Sequence, residues 1–455
     1  MVVQPQPTPY DFGKFTITVT RADGTQVEIS NLVIELNFFE SLRDPYVSGS
    51  LMLLDSANIS NFVNFRGQET VNIIVTDFFG APRIDKTFAI TSVNKQEKLN
   101  DSASALVLNF IDIHMYLNKK FRFSKKLEGK PEQILQQILS ELRVSVSAET
   151  SSQSKIRFIA PFSMSPMDIA SLMKNRCTTQ NGMPFFFHGS LYSNTLSLVS
   201  LETLLNQPTY GSREFKYTSV AETETNRSSY TVENFESLSY RIASISMEQN
   251  QDVIKLFDAS ALGSQYMYVD TIEDKAQERR FRITDALGKL LNPNDGAGDY
   301  SISLPENLGD PIHESVTNYV SQITTRKLFE NGLFSYNEEE EITRHDYKSI
   351  NRGLRSFLTK AYIVMQCPGY NFLGSSAEGR VELGKNLFDV YIPKDLPIDG
   401  DFNSDYIQDK KRSGKYVITH MRHMFKNAQY SVIVGAVKHD NLPTIDTEQF
   451  YSGET

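Results

Sequence analysis

The sequence predicts a mixed, mainly β fold that contains two antiparallel β-barrels with α/β inserts. Three observations support this class. A hairpin pattern near residue 90 recurs close to the C-terminus, short runs of alternating apolar residues dominate both ends of the chain, and two amphipathic helix patterns lie between them. At 455 residues the chain exceeds what one hydrophobic core usually supports, so we expect two to four domains.

The recurring pattern joins "FAITSVNK", from Phe88, to "YVITHMRH", from Tyr416. Each stretch runs aromatic, aliphatic, Ile, Thr, and each keeps an apolar residue three positions after the Ile, at Val93 and Met421. A second apolar run follows each stretch ("ALVLNFID" and "SVIVGAVKH"), and a Gly-containing turn with a strand precedes each ("RGQETVNIIV" and "GRVELGKNLFDVYI"). These matches predict an internal duplication of a small antiparallel β-unit.

Residues 1–118 are predicted to form the first barrel. "FTITVTRADGTQVEIS" alternates apolar and polar residues on both sides of Asp23-Gly24, a strong hairpin signal. "NLVIELNFF" and "SGSLMLL" add strands, and "SANISNFVNF" predicts a short helix after Asp55, a good N-cap. About six strands in a hundred residues are typical of a barrel or sandwich.

Residues 119–206 are predicted to form an α/β insert. "KPEQILQQILSEL" places Pro131 at a helix start and its apolar residues on one stripe. "SPMDIASLMKNRC" repeats the arrangement, with Ser165 as N-cap and Asp168 in the first turn. "SKIRFIA" and "MPFFFHGSLYSNTLSLVSL" read as strands.

The rest of the chain is predicted to complete a second barrel around a further insertion. Strand patterns in "REFKYTSV" and "SLSYRIASI" predict that this barrel starts within residues 207–250. We expect a mixed insert at 251–340, the remainder of the barrel at 341–442 and a tail at 443–455. A helix, "HDYKSINRGLRSFLTK", precedes the last strands. The segment 393–414 is long for an internal connection, which indicates a contact loop or a mobile one.

Charge and cysteine content exclude several classes. With 46 Lys and Arg against 55 Asp and Glu the net charge is −9, which argues against a protein that grips nucleic-acid phosphates. Two cysteines are too few for a disulfide scaffold and indicate a reducing compartment. "MVVQPQPTPY" lacks the features of a secretion signal, and no apolar stretch has the length of a membrane span. We expect a soluble protein made in a cytoplasm, with no membrane partner.

Candidate metal and phosphate motifs favour structural interpretations. His420 and His423 form HxxH in a strand pattern, where residues three apart point to opposite faces, so we expect surface or interface histidines. "NPNDGAGD" has Ser303 where a calcium loop needs Glu, which favours a turn. "GRVELGKN" has Asn386 where a P-loop needs Ser or Thr, which also favours a turn.

Candidate catalytic and nucleic-acid features are equally weak. Cys177, on a predicted apolar helix face, and Cys367, in a predicted Pro-Gly turn, are expected to be structural. The basic cluster "NKKFRFSKK" (118–126) is expected to be a solvated edge or a protein-contact patch rather than a nucleic-acid site. The sequence therefore predicts no enzyme and no catalytic, cofactor-binding or metal residue, and no cofactor.

Two stretches carry a resemblance to a known family. "LRDPYVSGSLMLLDSANISNFVNFRGQETVNIIV" (42–75) and "GKYVITHMRHMFKNAQYSVIVGAVKHDNLPTID" (414–446) resemble the central baseplate hub proteins of T-even-like contractile-tailed bacteriophages, which are related to the N-terminal regions of type VI secretion spike hubs. The likeness covers about half of the chain by motif and most of it by the order of elements. Residues 251–340 and the loop after Pro393 match poorly.

This resemblance implies a structural role in a virion tail baseplate assembled in the host cytoplasm. The two barrels would be tail-tube-like, and a homotrimer would form a pseudo-sixfold ring that joins the three-fold central spike to the six-fold tail tube. Tube or tube-initiator proteins and baseplate wedge proteins are the other implied partners, and DNA crosses the channel only during genome ejection. The net charge of −9 leads to the hypothesis that acidic side chains line this channel.

Two alternatives remain open at this point. The chain could be the hub of a contractile injection or type VI-like system, which sequence separates poorly from a phage hub. From a different class, a tail-associated peptidoglycan hydrolase would require a carboxylate pair in a groove.

Overall fold

The computed structural model describes residues 8–55, 63, 65, 67–98, 104–153, 155–160, 162–180, 183–217, 232–248, 263–270, 275–282, 317–323, 362–374, 376, 378–393, 408–409 and 412–439. The predicted helix in "HDYKSINRGLRSFLTK", the "NPNDGAGD" turn and the tail lie outside the described residues, as does most of the loop 393–414. Of the predicted helix after Asp55 only Val63, which is helical and buried, and Phe65 are described.

The described residues of the N-terminal unit form seven strands. They are β1 (Phe15–Thr20), β2 (Gln26–Glu28), β3 (Val33–Ser41), β4 (Ser48–Asp55), β5 (Thr70–Thr76), β6 (Pro82–Lys98) and β7 (Ser104–Asp112). The predicted hairpin at Asp23-Gly24 is confirmed: β1 pairs with β2, and Gly24 has a φ of 85°, which favours glycine. Alternation in β5, where every second residue is buried, places its apolar side chains in the core.

The insert follows with alternating helices and strands. They are α1 (Ile113–Asn118), β8 (Lys126–Gly129), α2 (Pro131–Ser140), β9 (Val146–Ala148), β10 (Ile156–Ile159), α3 (Pro166–Lys174), β11 (Phe185–Ser190), β12 (Ser193–Ser200) and α4 (Leu201–Leu205). Both predicted amphipathic helices are confirmed, each with proline in its first turn. Their buried faces share one apolar cluster that runs from Leu127 to Leu198.

The C-terminal unit also has seven strands among its described residues. They are β13 (Phe215–Tyr217), β14 (Arg241–Ile242), β15 (Ser244–Glu248), β19 (Tyr362–Pro368), β20 (Leu387–Tyr391), β21 (Gly414–Lys426) and β22 (Gln429–Lys438). Helix α5 (Val232–Ser239) precedes β14, so the first residues of "SLSYRIASI" are helical where a strand is predicted. Helix α6 (Tyr370–Leu373) follows β19, and β16 (Gly263–Asp270), β17 (Lys275–Arg282) and β18 (Thr317–Ile323) form a separate sheet.

The two units have the same strand order. In the N-terminal unit the order is β3-β4-β7-β6-β5-β1-β2, and in the C-terminal unit it is β15-β19-β22-β21-β20-β13-β14. Numbered along the chain within each unit, both read third, fourth, seventh, sixth, fifth, first, second. One difference is that β1 is antiparallel to β5 whereas β13 is parallel to β20. The shared order supports the predicted duplication.

The two repeated hairpins also share an irregularity. Each register shifts by one residue at the repeated Ile-Thr pair, with Thr91 as the extra residue in β6 and Thr419 in β21. The hydroxyl of Thr91 donates a hydrogen bond to the Asn109 carbonyl (3.1 Å), and that of Thr419 donates to the Gly435 carbonyl (3.0 Å). Because a bulge changes which edge residues can pair, this shared threonine marks where β6 stops pairing with β5 and where β21 exchanges β20 for β3.

The mainly β, antiparallel class is confirmed, and the described strands of both units belong to one continuous sheet of fourteen strands. Among the described residues, no strand pairing closes either unit into a barrel. One apolar core spans both units, and residues of β11, β12 and α4 pack into it. The domain boundaries at residues 118, 206, 250, 340 and 442 stay predictions.

The first turn of α3 provides a pH-dependent prediction. The Asp168 carboxylate accepts hydrogen bonds from the Ser165 hydroxyl (2.7 Å) and backbone N–H (3.0 Å), and these bonds hold the pKa of Asp168 below its usual value. A depressed carboxyl pKa stabilises the fold above the unfolded value of about 3.9 and loses that effect as pH falls through the folded pKa. We expect Asp168→Ala to lower the free energy of unfolding by about 1 kcal/mol at pH 7.

Urea denaturation followed by circular dichroism at pH 7 and near pH 3 measures this loss. The gap between Asp168→Ala and the natural chain should narrow as the pH falls. Asp168→Asn is the control, because an amide oxygen can still accept the Ser165 bonds without a titrating charge. A gap for Asp168→Ala that is equally large at both pH values contradicts the assignment.

Candidate functional site

The two units meet where β21 pairs with β3. This joint is antiparallel and runs from His420 opposite Ser41 to Lys426 opposite Glu35. Before its bulge at Thr419, the same edge of β21 pairs instead with β20. The bulge therefore lets one long strand serve both its own unit and the neighbouring one.

An aromatic cluster fills the core behind the joint. Phe38 of β3 lies 5.7 Å from Phe88, 5.7 Å from Phe110 and 6.2 Å from Phe425, measured between ring centroids. Phe425 belongs to β21 and stacks on Tyr430 at 4.2 Å. Aromatic rings from both units thus pack against one another across the joint, and Phe38 is fully buried between them.

A buried hydrogen-bond chain crosses the same joint. His423 Nε2 on β21 lies 2.8 Å from Glu40 Oε2 on β3, and the side chains are 0% and 1% exposed. The other ring nitrogen, Nδ1, lies 2.7 Å from the Tyr430 hydroxyl. Burial raises the pKa of Tyr430 well above its usual value, so this hydroxyl stays protonated. Since no face of the pair reaches solvent, it has the environment of a structural element rather than of a catalytic one.

The insert reaches this chain through the tip of its β11–β12 hairpin. The Leu191 backbone N–H donates to Glu40 Oε1 at 2.6 Å, so Glu40 bonds to the insert with one oxygen and to His423 with the other. Tyr192 packs edge-on against the His423 ring at 6.2 Å, and its hydroxyl donates to the Phe372 carbonyl at 2.5 Å. One carboxylate therefore links the two units and the insert.

A second buried charge holds the same hairpin tip. Lys86 Nζ lies 2.9 Å from Asp112 Oδ1 and donates to the Ser190 carbonyl at 2.8 Å. Asp112 Oδ2 accepts the Val47 N–H at 2.7 Å, so both charges are hydrogen-bonded as burial requires. The hairpin tip is thus fixed to β6 by Lys86 and to β3 by Glu40.

Charges of opposite sign border the outer face of the joint. Glu35 lies 3.0 Å from Lys426 and 3.4 Å from Arg422, and Arg422 Nε donates to Asn37 Oδ1 at 2.9 Å. Hydrogen bonding from the Asn37 amide, followed by the Lys426 charge, holds the pKa of Glu35 below its usual value. Each long strand therefore has a polar outer side and an apolar inner side at the joint.

The two histidines of HxxH do point apart, as predicted. His420 hydrogen-bonds and stacks with Tyr362, whereas His423 bonds to Glu40. A surface position is wrong for His423, because β21 turns it into the core. Within the described part of the chain, no three His, Cys, Asp or Glu side chains are grouped to hold a metal ion.

The other candidates are structural where the residues are described. Both cysteines are unpaired and fully buried, and Cys367 lies in strand β19 rather than in a turn. Burial raises the pKa of both thiols. The Asn386 side chain accepts the Glu382 N–H at 3.1 Å, which makes "GRVELGKN" a turn.

The basic cluster 118–126 lies between the N-terminal unit and the insert. Asn118 ends α1 and its side chain accepts the Met167 N–H in the first turn of α3 at 2.9 Å. Lys125 pairs with Glu141 at 3.1 Å on the surface, and Phe121 stacks on Phe123. The cluster therefore includes a cap and an exposed ion pair, which fits the predicted edge or contact patch.

The residues that define the joint were not identifiable as a site from sequence. Glu40 follows the buried Leu36 and Phe38 at intervals of two, and this phase is the one signal for an inward-pointing acid on β3. The sequence around Lys86 gives a weaker signal for a buried charge, and no local pattern indicates that Tyr192 belongs to the site. No helix in the described ranges combines the length and hydropathy of a membrane span.

Fold and joint together define a duplicated, mainly β protein whose two halves share one sheet. No family model and no curated protein matches the sequence. Among solved structures, the 43 kDa tail protein of prophage MuSo2 from Shewanella oneidensis matches with a TM-score of 0.51 at 8% identity, over 94% of this chain and 99% of that one. The chain therefore has a fold similar to that of a prophage tail protein.

Two further structures have lower scores. The tail protein from Neisseria meningitidis MC58 has a TM-score of 0.48 at 10% identity, over 94% of this chain and 98% of that one. A chain of the Francisella PdpA-VgrG complex has a TM-score of 0.46 at 11% identity, over 95% of this chain and 59% of that one.

Proposed function

We propose that this chain is the structural hub of a phage tail baseplate. Three copies form a pseudo-sixfold ring that joins a three-fold spike to a six-fold tail tube, and DNA passes through the channel. The hub has no catalytic role, and it belongs to the virion after assembly in the host cytoplasm. The observation that carries this proposal is the identical strand order of the two units.

The duplication fits this role because of symmetry. A ring of three chains that each present two alike units offers six similar positions, and the same ring keeps a true three-fold axis. One face can then match a six-fold tube while the other matches a three-fold spike. The likeness of the fold to a prophage tail protein supports this setting.

The joint suits a ring wall that must stay rigid under load. Its sheet is continuous between the units, its core is aromatic, and its polar groups are paired. Backbone hydrogen bonds of a continuous sheet resist separation of the units because they must break together. An enzyme active site would need an accessible groove, whereas these groups are enclosed.

Light scattering tests the ring. We expect the purified chain, alone or after addition of the spike protein of the same tail, to contain three copies of the 51.6 kDa chain. A spike-free and a spike-containing sample measured at the same chain concentration distinguish intrinsic from spike-induced assembly. Monomers in both samples contradict the ring.

A further inference from the structure

Apart from the outer edges of β2 and β14, which end the fourteen-stranded sheet, two further strand edges in that sheet have no strand partner among the described residues. Residues Val93–Lys98 of β6, beyond the Thr91 bulge, pair with β7 on one edge, and the described chain pairs no strand with the other. Strand β15 likewise pairs with β19 on one edge only. Open edges of this kind are templates for pairing with another strand.

Because of the duplication, these two edges correspond to the two strands that pair at the joint. By strand order, β6 corresponds to β21, and β15 corresponds to β3. Thr91 and Thr419 bulge at the same place, and after each bulge the long strand no longer pairs with the strand of its own unit that precedes it, β5 or β20. The described part of each chain therefore contains one completed joint and two further strand edges that correspond to its two sides.

Exposed apolar side chains occur at these halves. Val93 is 41% exposed, whereas its counterpart at the joint, Met421, is 1% exposed. Met247 is 36% exposed, whereas its counterpart, Phe38, is 0% exposed. Exposure is thus high where the partner strand is lacking and negligible where the equivalent partner is present, which is what an unfilled copy of the same interface predicts.

We propose that β15 of a second copy of this chain pairs antiparallel with the outer half of β6, in the register of the joint. This inference rests on the proposed ring and specifies its contact between copies. Carried over from the joint, the register places Lys95 opposite Glu248, Gln96 opposite Met247, Glu97 opposite Ser246, and Lys98 opposite Ile245.

One feature of this contact favours a ring. The contact joins two different surfaces of the chain, because β6 and β15 belong to different units. Such a head-to-tail contact can close a ring.

Disulfide cross-linking of two differently tagged, co-expressed chains tests the register. One chain carries Gln96→Cys and the other carries Met247→Cys, and both are oxidised in the presence and absence of the spike. The natural cysteines are buried, so they do not compete. Directly opposite residues have Cβ atoms about 4.5–5.5 Å apart, and a disulfide needs only a small adjustment from there. We expect a covalent dimer that contains both tags.

Three controls make the test specific. Pairing Gln96→Cys with Ile245→Cys moves the partner by about 6.8 Å along β15 on the same face, so we expect about tenfold less dimer. Each single variant expressed alone should give no dimer, because a head-to-tail contact does not bring identical positions together. Light scattering on the same samples reports the assembly state.

The outcomes separate the inference from the proposed function. A trimer in which the shifted pair links as well as the register pair, or in which neither links, overturns the strand register and leaves the ring standing. Dimers from one single variant alone overturn the head-to-tail arrangement. Monomers in every sample, without cross-links, overturn both the register and the ring.

Discussion

Glu40→Ala is expected to lower the free energy of unfolding by about 3–5 kcal/mol, because it leaves two buried hydrogen-bond donors without a partner at about 1–3 kcal/mol each. The carboxylate accepts from His423 Nε2 at 2.8 Å and from the Leu191 N–H at 2.6 Å, and the site is closed to water. Alanine leaves both donors buried without a partner, and each unmade bond adds to the penalty.

The measurement is urea denaturation followed by circular dichroism, compared through the midpoint at constant slope. Glu35→Ala is the matched control, since Glu35 lies on the same strand and pairs with Arg422 and Lys426 on the partly exposed face of the joint. Exposed pairs contribute about 1 kcal/mol or less. Equal losses for the two variants would show that the buried chain does not hold the joint.

Phe38→Ala is also expected to lower the free energy of unfolding by about 3–5 kcal/mol, because it leaves a cavity at the centre of a packed aromatic core. Its ring is 0% exposed and contacts rings from β6, β7 and β21. The cavity would lie between the two units, so we also expect weaker coupling across the joint. Thermal or urea unfolding of the variant measures the loss.

The adjacent residue supplies the control for this prediction. Phe39 is 40% exposed on the opposite face of β3, where the Arg422 guanidinium lies 5.7 Å from its ring centre. Its replacement by alanine removes that exposed cation–π contact and little core packing. We therefore expect the free energy of unfolding to fall by about 1 kcal/mol or less. A Phe39→Ala loss as large as that of Phe38→Ala would contradict the assignment of the two faces.

Local sequence signals predicted the elements well because their causes are local. Ser165, Pro166 and Asp168 begin α3 through a cap and a capping box, and Asp23-Gly24 turns the first hairpin. The strand prediction in "SLSYRIASI" is wrong at its start, where α5 ends at Ser239. Short apolar runs do not separate helix from strand by periodicity alone.

The candidate site was less accessible to sequence reasoning. The sequence predicted that the two HxxH rings point apart, but it did not indicate that the partner of His423 lies 383 residues away in Glu40. Leu191 and Tyr192, in a third part of the chain, complete the chain of contacts. No motif spacing predicts contacts between positions that come together only because β3 pairs with β21.

By itself, the sequence determined that this protein is mainly β, that it repeats one unit, and that the repeat includes an Ile-Thr pair in a long strand. These properties follow from residue periodicity and turn chemistry, which act over a few neighbours. Only the tertiary structure decided that the repeated threonines are bulges, that β21 crosses to β3, and that Val93 and Met247 stay exposed while their counterparts are buried. Pairing between distant strands depends on which edges remain free once each unit has folded. A local sequence pattern does not indicate which edges these are.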